Sequence, residues 1–255
     1  MPTRYRQQLP AEPPEKIGHN GRIGLVALAT DLNIESDLRR MAPDGVEIFT
    51  NRVLNRNPLT PENLRAMAPD ITRAAGGILP GASVDVLIYA CTSGTAVIGE
   101  SQVIQLLRAA RRDWENLPCT TPATAARAAL ARFSARRISI LTPYTEPVNR
   151  ELARFFGHCG IAVLNVHGFG IDDDTHMTDI THASICQGAA AACHPDADLL
   201  FISCTALRAA QVIGDIEQRI DKPVITSNQA LLWHALKLLK KPLQVPGFGQ
   251  LFNHG

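Results

Sequence analysis

The sequence predicts an α/β fold of two pseudo-symmetric halves, each a mostly parallel four-stranded sheet flanked by helices. Three observations carry this. Short, continuous apolar runs alternate with stretches of helical period, as expected for strands in a sheet covered on both faces. The order is strand then helix almost throughout. The second half of the chain repeats the first.

"RIGLVALA" (22–29) is a buried strand, and "DLNIESDLRRMA" sets Leu32, Leu38 and Met41 among acids and arginines, as in an amphipathic helix. "GVEIFTNRV" (45–53) is the second strand. "TPENLRAMAPDITRAAGGIL" opens with Thr60 as N-cap, Pro61 at the first helical position and Glu62, a strong helix start. "VDVLIYA" (84–90) is the third strand, and "GESQVIQLLRAARRDWENL" a helix. The second half continues with the helix "TPATAARAALARF", the strand "RRISILTP" and the helix "PVNRELARFFGHCG". The strand "IAVLNVHGFG", the helix "MTDITHASICQGAAAAC" and the strand "ADLLFIS" come next. "ALRAAQVIGDIEQRI" is a helix, "KPVIT" a strand and "NQALLWHALKLL" the last helix.

The repeat is specific. "RIGLVALATD" at 22–31 answers "RISILTPYTE" at 137–146, and "DVLIYACT" at 85–92 answers "DLLFISCT" at 198–205. "LPCTTPATA" at 117–125 answers "KPVITSNQA" at 222–230. The expected organisation is a disordered arm at 1–19, a first domain of 20–117 plus 225–255, and a second of 118–224. The arm, "MPTRYRQQLPAEPPEK", is polar and proline-rich and lacks the apolar core of a secretory signal. The cytoplasm is the expected location.

The 255 residues carry a net charge of +1, so nothing points to nucleic acid or an anionic membrane as partner. No apolar run approaches the roughly 20 residues that span a bilayer. The six cysteines form no C-x-x-C pair and are expected to be reduced thiols, with no structural zinc. His176 and His182 among Asp172, Asp173, Asp174 and Asp179 match no metal-ligand spacing, so no metal is expected.

Cys91 and Cys204 occupy the same place in the two halves. Each follows an apolar strand and precedes Thr and a predicted helix. Ligands of open α/β sheets sit at the carboxyl ends of strands, and a helix N-terminus there favours an anion and can lower a thiol pKa. Two thiols facing one small substrate suit two chemistries. One thiolate can remove a proton while the other thiol returns one to the far face, which is racemisation without a cofactor. Alternatively, a thiolate adds to an activated double bond, the adduct rotates, and elimination gives the other isomer. Cys119, Cys159, Cys186 and Cys193 have no such partner and read as packing or surface thiols.

With "ACTSGTAVIG", "SCTALRAAQVI" and "PVITSNQALLWHAL", the chain resembles the aspartate/glutamate racemase superfamily. It looks most like the branch of maleate cis–trans isomerases, arylmalonate decarboxylases and an ectoine-utilisation protein. The resemblance implies two Rossmann-like domains with the site between them, no metal or pyridoxal phosphate cofactor, and a small carboxylate substrate. It further implies that Cys91 and Cys204 are the catalytic pair. Thr92 and Ser93 would hold a substrate carboxylate, the Thr205 backbone N–H would do so at the second thiol, and Tyr144 would hydrogen-bond the carboxylate. The superfamily often forms dimers, so a homodimer is the expected assembly. Arylmalonate decarboxylases carry glycine in place of Cys91, which favours an isomerase or racemase here.

Asp31 and Asp174 depart from the maleate isomerases, which carry asparagine at the matching positions. Two added acids disfavour a dicarboxylate and favour a substrate with an amino or other cationic group, such as an intermediate of ectoine breakdown. Asp31 is also placed to tune Cys91. Three alternatives remain open: maleate isomerisation, decarboxylation of an arylmalonate-type acid by Cys204 alone, and a non-catalytic binding module.

Overall fold

The computed structural model describes residue 13 and residues 15–241 and 244–253. Most of the expected N-terminal arm, residues 1–12 and 14, lies outside the described residues. Its last residues are ordered: residues 17–20 form a turn, Arg22 Nε donates to the Ile17 carbonyl at 2.8 Å, and Lys241 Nζ donates to that of His19 at 2.8 Å.

Two four-stranded sheets make the frame. In the first, β1 (Gly21–Leu28), β2 (Val46–Val53), β3 (Val86–Ala90) and β4 (Cys119–Thr120) lie in the order β2-β1-β3-β4. In the second, β5 (Arg137–Thr142), β6 (Ala162–Gly168), β7 (Leu199–Ile202) and β8 (Val224–Thr226) lie in the order β6-β5-β7-β8. Every pairing is parallel, and the two orders correspond strand for strand. β3 and β7 are buried along their whole length, which accounts for their continuous apolar sequences.

The repeated Asp before each third strand has a structural use. Asp85 Oδ2 accepts the Arg22 N–H at 2.8 Å, and Asp198 Oδ2 accepts the Arg137 N–H at 2.8 Å. Each carboxylate thus ties the start of its strand to the central neighbour. Sheet pairing also moves the expected domain boundaries: Cys119–Thr120 pairs with β3 in the first sheet, and Val224–Thr226 pairs with β7 in the second.

Four long helices expected from periodicity are broken. The first is split into Pro61–Ala66 and Ala68–Gly76, because Pro69 lacks an N–H and crowds the preceding turn. The helix expected from Gly99 ends at Arg108, and a short 3₁₀ turn follows at Arg112–Trp114. Of the helix expected over 177–193, Met177 ends a short helix, Asp174–Met177, and a second helix begins at His182, where Thr181 caps it by accepting the Ser184 N–H at 3.1 Å. The fourth break lies directly after Cys204, where the chain stays non-helical until the 3₁₀ turn at Ala210–Val212 and the helix Ile213–Ile220. Tertiary hydrogen bonds take the carbonyls that this helix would need. Asn33 Nδ2 and Asn228 Nδ2 donate to the Thr205 carbonyl at 3.0 and 2.9 Å, and Thr178 Oγ1 donates to that of Ala206 at 3.2 Å.

The C-terminal helix Ser227–Leu238 starts at a capping box of Thr226 and Gln229 and packs on the helices Pro122–Arg132 and Ile34–Met41. A short helix, Gln250–Asn253, follows it. No helix among the described residues is long and apolar enough to cross a membrane.

Candidate active site

The carboxyl ends of β1, β3, β5 and β7 open onto one narrow cleft between the sheets. All eight side chains singled out from the sequence line it: Asp31, Cys91, Thr92, Ser93, Tyr144, Asp174, Cys204 and Thr205. The lining holds two thiols and two carboxyl groups and, among the described residues, no lysine, arginine or histidine.

Cys91 is the N-cap of the helix Thr92–Ile98, and its Sγ accepts the Gly94 N–H at 3.1 Å. The Ser93 hydroxyl is 3.6 Å from the same sulfur. Thr92 Oγ1 points across the molecule to Ser227 Oγ, 2.9 Å away. Gly94 must be glycine: a Cβ there would lie 2.8 Å from Cys91 Sγ and 2.6 Å from Tyr89 Oη.

Cys204 sits differently. Its backbone has φ 122°, a region unfavourable for a side chain, and its N–H donates to Ser227 Oγ at 3.0 Å. Its sulfur is 3.9 Å from Met177 Sδ. No helix begins behind it, so the helix N-terminus expected to favour a thiolate is present at Cys91 and absent at Cys204. Both thiols are nearly covered, at 3% and 7% exposure. Burial pushes Cys91 up to about 12, with the Asp174 carboxylate adding to the rise. Burial, then Asp174 and Asp31, push Cys204 up further, while the Tyr144 hydroxyl and the Ala206 N–H pull it down. The expectation of lowered thiol pKa values is therefore corrected: desolvation outweighs the local donors.

Asp31 turns back into its own loop. Its Oδ1 accepts the N–H groups of Asn33 and Ile34 at 2.8 and 2.9 Å, and its Oδ2 has no hydrogen bond of normal geometry. Burial raises its pKa against the pull of the Thr205 hydroxyl, these N–H groups and Arg52. Asp174 Oδ2 accepts from Asn55 Nδ2 at 2.7 Å and from Thr30 Oγ1 at 3.0 Å. Burial lifts it to about 6, helped by the neighbouring charges of Asp31 and Asp173. Asp174 opens the short helix Asp174–Met177 of the second half, yet both its partners belong to the first, so this carboxyl helps close the cleft.

Sequence reasoning missed the support behind these groups. Ser227 and Asn228 lie within the quoted "PVITSNQALLWHAL", directly after β8, and that strand-end position was the available signal. Asn228 Nδ2 and Asn33 Nδ2 each bridge the Thr205 carbonyl to the buried Asp37 Oδ2, at 2.8 and 2.9 Å from the carboxylate. Nothing in the order of residues announced that Asn33, Asp37 and Asn228 would meet.

Residues 23–252 match the family model described as arylmalonate decarboxylase. The chain belongs to the arylmalonate decarboxylase family. It is 32% identical over 151 residues to an arylmalonate decarboxylase of Bordetella bronchiseptica, covering 58% of this chain and 62% of that protein. It is 26% identical over 244 residues to a maleate isomerase of Pseudomonas putida, covering 91% of this chain and 97% of that one. A crystal structure of the maleate isomerase Iso from Pseudomonas putida S16 superposes with a TM-score of 0.83 at 25% identity, over 91% of this chain and 98% of that chain. A glycine-to-cysteine, cysteine-to-serine double mutant of arylmalonate decarboxylase in the liganded form superposes with a TM-score of 0.82 at 27% identity. That match covers 92% of this chain and 100% of that chain. The family member described here has the two-sheet fold of both kinds of relative.

Proposed function

We propose that the protein is a cofactor-independent two-cysteine isomerase or racemase of small carboxylic acids that carry an amino or other cationic group. One observation carries this reading: Cys91 and Cys204 line a single buried cleft together with Asp31 and Asp174, and among the described residues no basic side chain lines it.

The chemistry follows from the charges. With no ligand cation, burial and carboxylate charge hold both thiols protonated, Asp174 acting on Cys91 and both Asp174 and Asp31 on Cys204. A substrate ammonium placed beside Asp31 and Asp174 offsets their charge and favours a thiolate by Coulombic attraction in a dry site. The substrate carboxylate is received at the other side by the first turn after Cys91, where the Ser93 hydroxyl lies, and by the Tyr144 hydroxyl and the Thr205 N–H. One cysteine thiolate then removes the proton from the carbon next to the carboxylate. The other cysteine gives its proton to the opposite face, and the two sulfurs exchange protonation states over one turnover. An intermediate of ectoine breakdown has the required acid-plus-amine character.

Maleate isomerisation is the second reading, supported by maleate isomerase relatives that align over 91% of the chain. It would need a dicarboxylate to lie against Asp31 and Asp174, which costs Coulombic repulsion unless these are protonated. Decarboxylation of a malonate-type acid needs only Cys204, and binding without chemistry needs neither thiol. Proton NMR in deuterium oxide separates these readings. The panel is aspartate, glutamate, diaminobutyrate derivatives, maleate and arylmalonates, with wild type, Cys91→Ala and Cys204→Ala. Deuterium entering next to the carboxylate of an amino acid, lost in both variants, is the expected result. Maleate turning to fumarate would favour the second reading, and carbon dioxide release with Cys91→Ala still active would favour the decarboxylase. Wild-type turnover in both variants would sink the two-thiol mechanism.

A further inference from the structure

Tyr89 is completely buried in β3, and its hydroxyl is among the few buried polar atoms with no hydrogen-bond partner of normal geometry. An orphaned phenol in a core is costly, and such groups call for an explanation. The hydroxyl does not line the cleft. It comes up behind Cys91, two residues along the same strand end, and both its oxygen and Cys91 Sγ press against the open face of Gly94. A Cβ at Gly94 would lie 2.6 Å from the first and 2.8 Å from the second. The absence of a side chain at Gly94 is what leaves room for hydroxyl and sulfur to approach each other.

Building on the reading of Cys91 as a catalytic thiol, we propose that Tyr89 is a positioning residue whose hydroxyl donates to Cys91 Sγ when that sulfur is a thiolate. Burial and the nearby charges of Cys91 and Asp174 keep the phenol protonated, so it has a proton to donate, and a thiolate at Cys91 has none to give back. Together with the Gly94 N–H and the Ser93 hydroxyl it gives Cys91 three donors in a fixed array. Cys204 has the Tyr144 hydroxyl and the Ala206 N–H, and it lacks a helix start. The two thiols are therefore unequal: Cys91 is the sulfur prepared to be the anion, and Cys204 the one prepared to hold its proton. Tyr89 touches no substrate and acts through Cys91 alone.

The test is Tyr89→Phe, which removes one buried oxygen and keeps the ring. The rate of alkylation of Cys91 by iodoacetamide is followed across pH by mass spectrometry of its peptide, with the Cys204 peptide in the same sample as control. At about pH 9, below the raised thiol pKa, the Cys91 rate is expected to fall about 10- to 100-fold, the size of a lost hydrogen bond to a charged group, while that of Cys204 stays put. An unchanged Cys91 rate would overturn the proposal. So would an equal change at both cysteines, which would mean general loosening of the fold. A Cys91 that does not react at any pH in wild type would show no prepared thiolate and would overturn it too. The catalytic reading of Cys91 is judged separately, by turnover of Cys91→Ala, so the two can fail independently.

Discussion

Ser227 Oγ, from the start of the C-terminal helix, accepts the backbone N–H of Cys204 at 3.0 Å. The same oxygen lies 2.9 Å from Thr92 Oγ1, next in sequence to Cys91. One buried hydroxyl therefore links the two cysteine loops, which come from opposite halves of the repeat.

Ser227→Ala should weaken both fold and turnover. It leaves the Cys204 N–H unpaired in a dry place, which costs about 1–3 kcal/mol. Thermal melting should fall accordingly, and turnover should fall more than binding because the spacing of the two sulfurs is what the link maintains. A variant with wild-type melting and kinetics would show the link to be idle.

Cys91→Ala and Cys204→Ala should each lower turnover on the true substrate by about 10²–10⁴, the range of one general acid or base. The double variant should be little worse than either single one, since the pair acts as a unit. Steady-state rates of the three proteins decide this.

Cys204→Gly should be more stable than Cys204→Ala. Both lose the sulfur, but only alanine keeps a side chain at φ 122°, a strained conformation worth about 1–3 kcal/mol. Chemical denaturation of the two proteins compares them directly, and equal midpoints would remove strain from the account.

Asp174→Asn should stabilise the protein at neutral pH. The carboxyl titrates near 3.8 when unfolded and at about 6 when folded, so the folded state binds its proton more tightly. Its contribution is most favourable below about 3.8, is lost as pH rises to about 6, and stays lost above. The shift corresponds to a cost on the order of 3 kcal/mol at neutral pH. Asparagine keeps an acceptor for Thr30 and Asn55, so the gain in melting temperature should appear at pH 7 and fade towards pH 4. For a cationic substrate the same substitution should raise KM, most strongly above pH 6.

Much of the site was legible because it lies at strand ends, where sequence pattern is strongest. The apolar runs of β3 and β7 stop at Cys91 and Cys204, and their duplication marks both thiols in the sequence. Helix ends were less legible: Pro69 broke one helix by local chemistry, but the break after Cys204 comes from Asn33, Asn228 and Thr178 capturing its carbonyls from afar. Thiol acidity is not legible in the sequence for a related reason. A helix N-terminus can be read locally, whereas the burial that outweighs it depends on both halves closing together.

The sequence by itself determined the parallel sheets, the twofold repeat and the residue types that face the cleft, because burial on both faces and strand-end loops leave a local pattern. Tertiary structure alone decided that Ser227 would join Thr92 to Cys204, that Tyr89 would stand behind Cys91, and that Asp174 would be held by Thr30 and Asn55. These contacts join residues far apart in the chain. They depend on how two sheets are set against each other, and no local periodicity encodes that distance.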